Sequence, residues 1–586
     1  MEKQYSISVG PEVKGETRIR RSVISPNELL SIPAEGVTTL YDVFQHGVKT
    51  YGNKKCMGYR VTEKVVEEEK EITKVVNGEE RKEKKGIAIV TAYDTLGEQG
   101  LLHSMNESEV ESMFTNANLL PTVKNIADKV PTLKSVIYDG DPSGNIVGEL
   151  KAAHPEIRLL SLEELKQWGK DNPVDYNPPA AQDYCCIMYT SGSTGNPKGV
   201  LLTHANLVAA IAGVDRLLQN VVRSDDTLLA YLPLAHVLEF VVEHACIWWG
   251  VTLGYGSART LSDSSVRNCF GDVREFRPSL LTGVPAVWET IRKGILSKIH
   301  ASSPTAQRVF NLAFKSKRWL QSKGLPTGVL DTAIFNKIKE NTGGRLRFAL
   351  SGGAPISRDT QEFLTVSLCP VVQGYGMTES CGMCTILSPD QFQYGSTGAP
   401  VPCVEIKLVD VPEAGYLSTN TPRPQGEIWI RGGCITSGYH KNEQVTKETF
   451  TEDGWLKTGD IGEWLEDGTL SIIDRKKNLV KLAHGEYIAL ERLESIYGST
   501  LFVSNICVCA DSFRDRPVAL IFPVEAQIYN LAKEKNLAKK ADLKPAEMLS
   551  HIALTHEEWT SQNGLLTAAH KLKRKEILNK YKDDVD

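Results

Sequence analysis

The sequence predicts an α/β fold divided into more than one domain, and three observations carry that expectation. From Ile87 onward, strand-like apolar pieces alternate with amphipathic helical pieces, which favours parallel sheets with helices on their faces. After Val404 the pattern changes to a period of two broken by Pro, Gly and Asn turns, as a small β subdomain requires. At 586 residues the chain is also too long for one simple core. Apolar residues at 41% and charged residues at 24% match a folded globular protein. Lys plus Arg (67) against Asp plus Glu (72) leaves a net charge of −5, so no global basic field draws the chain to nucleic acid.

Val61 to Lys85 is dense in Glu and Lys and reads as an exposed hairpin or solvated helix. The alternating pieces that follow are a strand at Ile87–Val90, a helix over Glu109–Asn118, a strand at Val136–Tyr138 and a helix over Leu162–Trp168. Cys185–Met188 is a short apolar run suited to a buried strand. Val237 to Gly256 is the most apolar stretch, but Glu239, Glu243 and His244 make membrane insertion costly, so it reads as a buried helix and strand. Val404–Asp410 and Gly426–Arg431 alternate as half-buried strands. Past Asp474 the roughly one hundred remaining residues suffice for a small α+β domain. The expected divisions are an arm over 1–85, a large domain over 86–474 with its β-rich part near 400–470, and a C-terminal domain over 475–586.

The first ten residues show no apolar signal-peptide core, and the final Asp-Asp-Val-Asp is no peroxisomal address, so a cytoplasmic start is expected. Twelve cysteines suit a reduced compartment. Cys381 and Cys384 form a Cys-x-x-Cys without a second pair, which favours buried thiols over zinc or redox chemistry.

Tyr189 to Gly199 reads Tyr-Thr-Ser-Gly-Ser-Thr-Gly-Asn-Pro-Lys-Gly. Gly192 and Gly195 permit close backbone approach to an anion, the hydroxyls of Ser191, Ser193 and Thr194 donate, and Lys198 adds a cation. It is not a Walker A loop, because Lys198 is followed by Gly199 rather than Ser or Thr. A second block, Val372 to Glu379, sets Tyr375 and Glu379 among glycines. Its ring suits stacking on a purine and its carboxylate suits magnesium. Leu350 to Pro355, with Gly352, Gly353 and Ala354, supplies another tight bend, and Thr458-Gly459-Asp460 offers a carboxylate for ribose hydroxyls.

In this order the segments resemble the adenylate-forming superfamily of acyl-CoA synthetases, luciferases and peptide-synthetase adenylation domains. Asp453 to Ser495 resembles eukaryotic, especially fungal, long-chain fatty acyl-CoA synthetases within it. The resemblance implies a large domain of stacked αβ subdomains with a small β-barrel, and a small mobile C-terminal lid. It implies ATP-dependent activation of a fatty acid to acyl-CoA through an acyl-adenylate, with ATP, Mg2+ and CoA bound. By the same resemblance Thr190 and Glu379 serve the magnesium site, and Thr190, Ser191, Gly192, Ser193, Thr194, Gly195 and Lys198 form the phosphate loop. Gly352, Gly353, Ala354, Gln373, Gly374, Tyr375, Gly376 and Thr378 face the nucleotide, and Asp460 and Arg475 hold its ribose. Lys477 lies at the hinge, Lys571 is the catalytic C-terminal lysine, His236 sits beside the acyl carboxylate, and Phe240 matches the gate of the acyl tunnel.

Taken alone, Lys571 with Lys573, Arg574 and Lys575 reads as a solvated basic face, and His236 and Phe240 read as core packing. Two other functions fit the motifs: adenylation of a different carboxylate, and a noncatalytic acyl- or AMP-binding protein. Relatives of this kind carry a further block between Lys85 and Ile87, larger than a βαβ unit of ~30 residues, which is absent here. The resemblance leaves room for peripheral association with endoplasmic reticulum or lipid droplets.

Overall fold

Period-two burial along short apolar strands builds the main sheet. In the computed structural model Leu228 and Ala230 join one core cluster and Leu229 the other, and the same split separates Leu280 from Leu281, Leu350 from Ala349 and Val372 from Val371. Each strand is therefore buried on both faces, as a parallel sheet between helical layers demands. Eight strands lie in the order Ala399–Pro400, Thr385–Ile386, Val371–Tyr375, Phe348–Ser351, Leu280–Gly283, Thr227–Ala230, Thr252–Tyr255 and Met57–Tyr59. The first three pair antiparallel in sequence along the sheet, and from Val371–Tyr375 onward all pairings are parallel. The helices His204–Leu218 and Val237–Trp249 pack into one core cluster, and Pro285–His300, Pro304–Ser322 and Arg358–Ser367 into the other. The structure describes the chain outside residues 1–2, 60–68, 77–78, 87–96, 191–196, 259, 264–265, 484–486, 512–515, 525–551, 556, 561–562, 567–571 and 583–586.

A smaller parallel sheet contains Ser112–Asn116, Ser135–Asp139 and Arg158–Ser161. This corrects the expected helix over Glu109–Asn118. Val110, Met113, Phe114 and Ala117 have helical spacing, but Glu109 at φ 52° ends the preceding helix, Gly97–Glu107, and the next residues pair along Ser135–Asp139. The helix expected from Leu162 is present over Leu162–Asp171, started by a reciprocal cap between Ser161 and Glu164. The expected buried helix and strand are Val237–Trp249 and Thr252–Tyr255. The charged stretch forms an antiparallel hairpin, Glu69–Val76 with Glu79–Gly86, while the strand expected at Ile87–Val90 lies outside the described residues.

The β-rich part is a six-stranded antiparallel sheet in the order Ser6–Val9, Ile19–Ser22, Val404–Val409, Gln425–Gly432, Leu456–Trp464 and Leu470–Arg475. Its outer strands share no ladder among the described residues, but the sheet curls until Tyr5 N–H donates to the Asp467 carbonyl at 2.9 Å. Beyond the turn at Lys476–Asn478 come a hairpin (Leu479–Lys481 with Tyr487–Ala489), a helix (Leu490–Gly498), a three-stranded sheet (Val503–Cys509, Val518–Pro523, Ile552–Leu554) and a helix (Arg574–Lys580).

Candidate active site

The carboxyl ends of the parallel strands open into a cleft lined by Tyr231, Val284, Gly352, Tyr375 and Glu379 on one side and by Lys477, Arg492 and Lys573 on the other. Open α/β sheets bind ligands at this end.

Tyr189, Thr190, Lys198 and Gly199 lie in the two strands of a hairpin. Tyr184–Thr190 pairs antiparallel with Lys198–Thr203, which sets Thr190 opposite Lys198, and the Thr190 hydroxyl donates to the Lys198 carbonyl at 3.4 Å. Ser191, Gly192, Ser193, Thr194 and Gly195 lie outside the described residues. The hairpin neck is tied on both strands. The Tyr189 hydroxyl donates to Glu107 Oε2 at 2.7 Å and lies 2.7 Å from the Ser108 hydroxyl, while His440 N–H donates to the Gly199 carbonyl at 2.8 Å.

Lys198 Nζ lies 5.4 Å from the centre of the Tyr439 ring, and the Tyr439 hydroxyl donates to Glu379 Oε1 at 2.7 Å. Tyr439 thus stands between the loop cation and the buried carboxylate. Burial and the adjacent Glu379 charge push its phenol above the usual range. Sequence reasoning missed Tyr439, since a lone tyrosine in Ser-Gly-Tyr-His carries no chemical signal of its own. Thr378 and Glu379 begin a single 3-10 turn, Thr378–Ser380. Close backbone packing explains Gly376, where a Cβ would lie 1.8 Å from the Gly382 carbonyl oxygen, and Gly353 adopts φ 81°.

Asp460 and Arg475 face each other across adjacent strands, with Arg475 Nε 3.4 Å from Asp460 Oδ1. The Tyr375 hydroxyl donates to Asp460 Oδ2 at 2.7 Å, so the aromatic and acidic motifs meet although they are far apart in sequence. Burial raises the Asp460 carboxyl despite the opposing effect of Arg475. Gln373 is buried and donates to Gln361 Oε1 at 3.1 Å. Gly374 pairs with Ile386, and Gly352 N–H donates to the Gly283 carbonyl at 3.1 Å; Gly352, Gly353 and Ala354 all line the cleft.

At the turn after the last strand, burial pushes the Lys477 ammonium down, with smaller contributions from Arg475 and Lys198. Asp474 beside it is buried; Oδ1 accepts the Arg475 N–H at 2.6 Å, and burial with nearby Glu491 raises its carboxyl to about 7. Lys571 lies outside the described residues, but Leu572 and Lys573 line the cleft. His236 is on the cleft wall and caps Val237–Trp249, its Nδ1 accepting the Leu238 N–H at 3.3 Å. Phe240, one turn on, packs on the larger core with its ring 4.5 Å from His244 and does not line the cleft. Cys381 and Cys384 are buried free thiols, and the described residues contain no group of three or more His, Cys, Asp or Glu able to cage a metal.

Residues 84–440 match the AMP-binding enzyme family. Long-chain-fatty-acid–CoA ligase 1 of Schizosaccharomyces pombe is 40% identical over 674 aligned positions, covering 100% of this chain and 99% of that protein. The alignment is longer than the 586 residues here, so stretches of that relative have no counterpart in this chain. Long-chain-fatty-acid–CoA ligase 1 of Saccharomyces cerevisiae is 44% identical over 548 positions, covering 86% of this chain and 78% of its own length. Among solved structures, the adenylation domain of a carboxylate reductase from Mycobacterium chelonae superposes with a TM-score of 0.74 at 23% identity, covering 94% of this chain and 93% of that one. Through these matches, the chain belongs to the AMP-binding enzymes and, within them, to the long-chain fatty acid–CoA ligases.

Proposed function

We propose that the chain activates long-chain fatty acids, using ATP to form an acyl-adenylate and then CoA to form the thioester. The end-to-end similarity to the S. pombe ligase is the observation that carries this reading. The cleft supports it chemically. Tyr375, hydrogen-bonded to Asp460, and Arg475, ion-paired with it, form one set fit to hold the nucleoside, and Lys198 and Glu379 stand on either side of Tyr439 where the phosphates would lie.

The donor set also fits magnesium, a hard cation that accepts one or two protein oxygens and takes the rest from phosphate and water. Glu379 and the Thr190 hydroxyl would hold it, and bound there it would neutralise phosphate charge. In the first step the fatty carboxylate oxygen attacks the α-phosphorus and pyrophosphate leaves. Lys198 and Lys571 offset the charge that accumulates during this displacement. His236 on the cleft wall would orient the acyl carboxylate. In the second step the CoA thiolate attacks the acyl carbonyl and AMP leaves. We assign this to a second pose of a C-terminal domain over 475–586, reached by rotation at Lys477 relative to residues 86–474.

ATP–pyrophosphate exchange with a panel of acids tests the reading. Exchange should be strongest with long-chain fatty acids, and preference for an amino acid or aryl acid would replace this reading with that of another adenylating enzyme.

A further inference from the structure

Behind the cleft wall, buried amides link the helix Arg358–Ser367 to the strand Val371–Tyr375. Gln361 on the helix is fully buried, and an amide placed there must find its hydrogen-bond partners within the fold. Its Nε2 donates to the Val371 carbonyl at 2.9 Å. Its Oε1 accepts from Gln373 Nε2 at 3.1 Å and from the Gly395 N–H at 3.4 Å.

These partners fix which way each amide points. A backbone carbonyl only accepts and a backbone N–H only donates, so Val371 and Gly395 together leave Gln361 one orientation. Gln361 therefore presents an oxygen to Gln373, and Gln373 must answer with its NH2 group. Gln373 lines the cleft, as Gly395 does, whereas Gln361 does not. The Gln373 Oε1 accepts from none of the described residues and is the end of the amide left for a ligand.

We propose that Gln361 is a positioning residue for nucleobase selection: by holding the Gln373 NH2 group, it keeps an acceptor turned to the bound purine. Gln373 lies two residues before Tyr375, whose hydrogen bond to Asp460 marks the nucleoside end of the cleft. This placement rests on the nucleotide reading above. An acceptor there suits a purine with an exocyclic amine, as adenine has. It opposes a carbonyl at the same ring position, as hypoxanthine has, because two oxygens would meet without a proton between them. A Gln373 amide free to rotate would offer NH2 to that carbonyl and lose the distinction.

Equilibrium binding of AMP and inosine monophosphate to the full chain tests the proposal without turnover. Exchanging a hydrogen bond for an opposed, unpaired contact costs on the order of tenfold to a hundredfold, so the native chain should prefer AMP by that margin. Gln361→Met is similar in length but cannot hydrogen-bond. It should bring the two nucleotides within about threefold and bind inosine monophosphate more tightly than the native chain does. A merely structural loss would weaken both nucleotides together. Gln361→Glu, measured at mildly acidic pH where a carboxyl buried there is neutral, keeps an O–H for Val371 and an oxygen for Gln373, so it should retain the preference even if the methionine variant does not fold. Equal binding of both nucleotides by the native chain, an unchanged preference in folded Gln361→Met, parallel weakening of both nucleotides, or loss of the preference in Gln361→Glu overturns the proposal. Absence of AMP binding by the native chain would overturn the adenylation reading with it. A chain that selects AMP through Gln361 but activates no fatty acid refutes only the functional reading.

Discussion

Glu379 is held by a neighbour that separates its two properties, charge and hydrogen-bond acceptance. Tyr439 donates to Oε1, so Glu379→Gln retains an acceptor for that hydroxyl while removing the negative charge proposed to serve magnesium. The glutamine variant should melt like the native protein yet lose roughly 10²–10³-fold in pyrophosphate exchange, the usual scale for one preorganised electrostatic contact. Glu379→Ala should lose activity similarly and also cost about 1–3 kcal/mol of stability, because the Tyr439 hydroxyl is left buried without its partner. A melted-out but active glutamine variant would make Glu379 a structural residue. At this scale the sequence was readable where chemistry is concentrated: Glu379, Asp460 and Arg475 stand beside glycines or in short charged motifs. Tyr439 was not readable, since its role comes from contacts with Lys198 and Glu379 that only the fold creates.

Among elements, the strand over Leu470–Arg475 ends in a buried carboxyl at the proposed hinge. Asp474 is raised to about 7 chiefly by burial, whereas an unfolded aspartate titrates near 4. The folded state therefore favours the protonated form. The penalty for ionising Asp474 is absent below the ordinary carboxylate range, grows as pH rises from about 4, and is complete above about 7. Asp474→Asn removes this ionisation, so the gain in its melting temperature over the native chain should widen between pH 5 and pH 8. A constant difference across that interval would show that Asp474 is not titrating there. Elements with an internal period or cap were legible, including Leu162–Asp171 behind Ser161 and the strands after Val404. The segment Ser112–Asn116 was not, because its helix-like spacing is overridden by pairing with a strand more than twenty residues away.

Across the whole molecule, Arg292 donates to the Ser499 carbonyl at 2.6 Å, and Lys293 donates to the Gly498 and Val503 carbonyls at 3.0 and 2.7 Å. The large α/β body thereby grips the end of the helix Leu490–Gly498, where backbone carbonyls lack helical partners and attract cations. Sequence could indicate a boundary after Asp474 but not this contact, which joins residues about two hundred positions apart. Phe114 on the Ser112–Asn116 strand is 60% exposed and Tyr59 on the Met57–Tyr59 strand 80% exposed. The cleft nevertheless brings the aromatic, acidic and basic motifs together, so the assembly should still complete both half-reactions. The most direct test is product stoichiometry with a long-chain fatty acid, ATP and CoA on the purified chain. One AMP and one pyrophosphate should appear for each acyl-CoA formed, with no AMP release when the acid is omitted. Release of ADP, or adenylate formation without thioester when CoA is saturating, would contradict it.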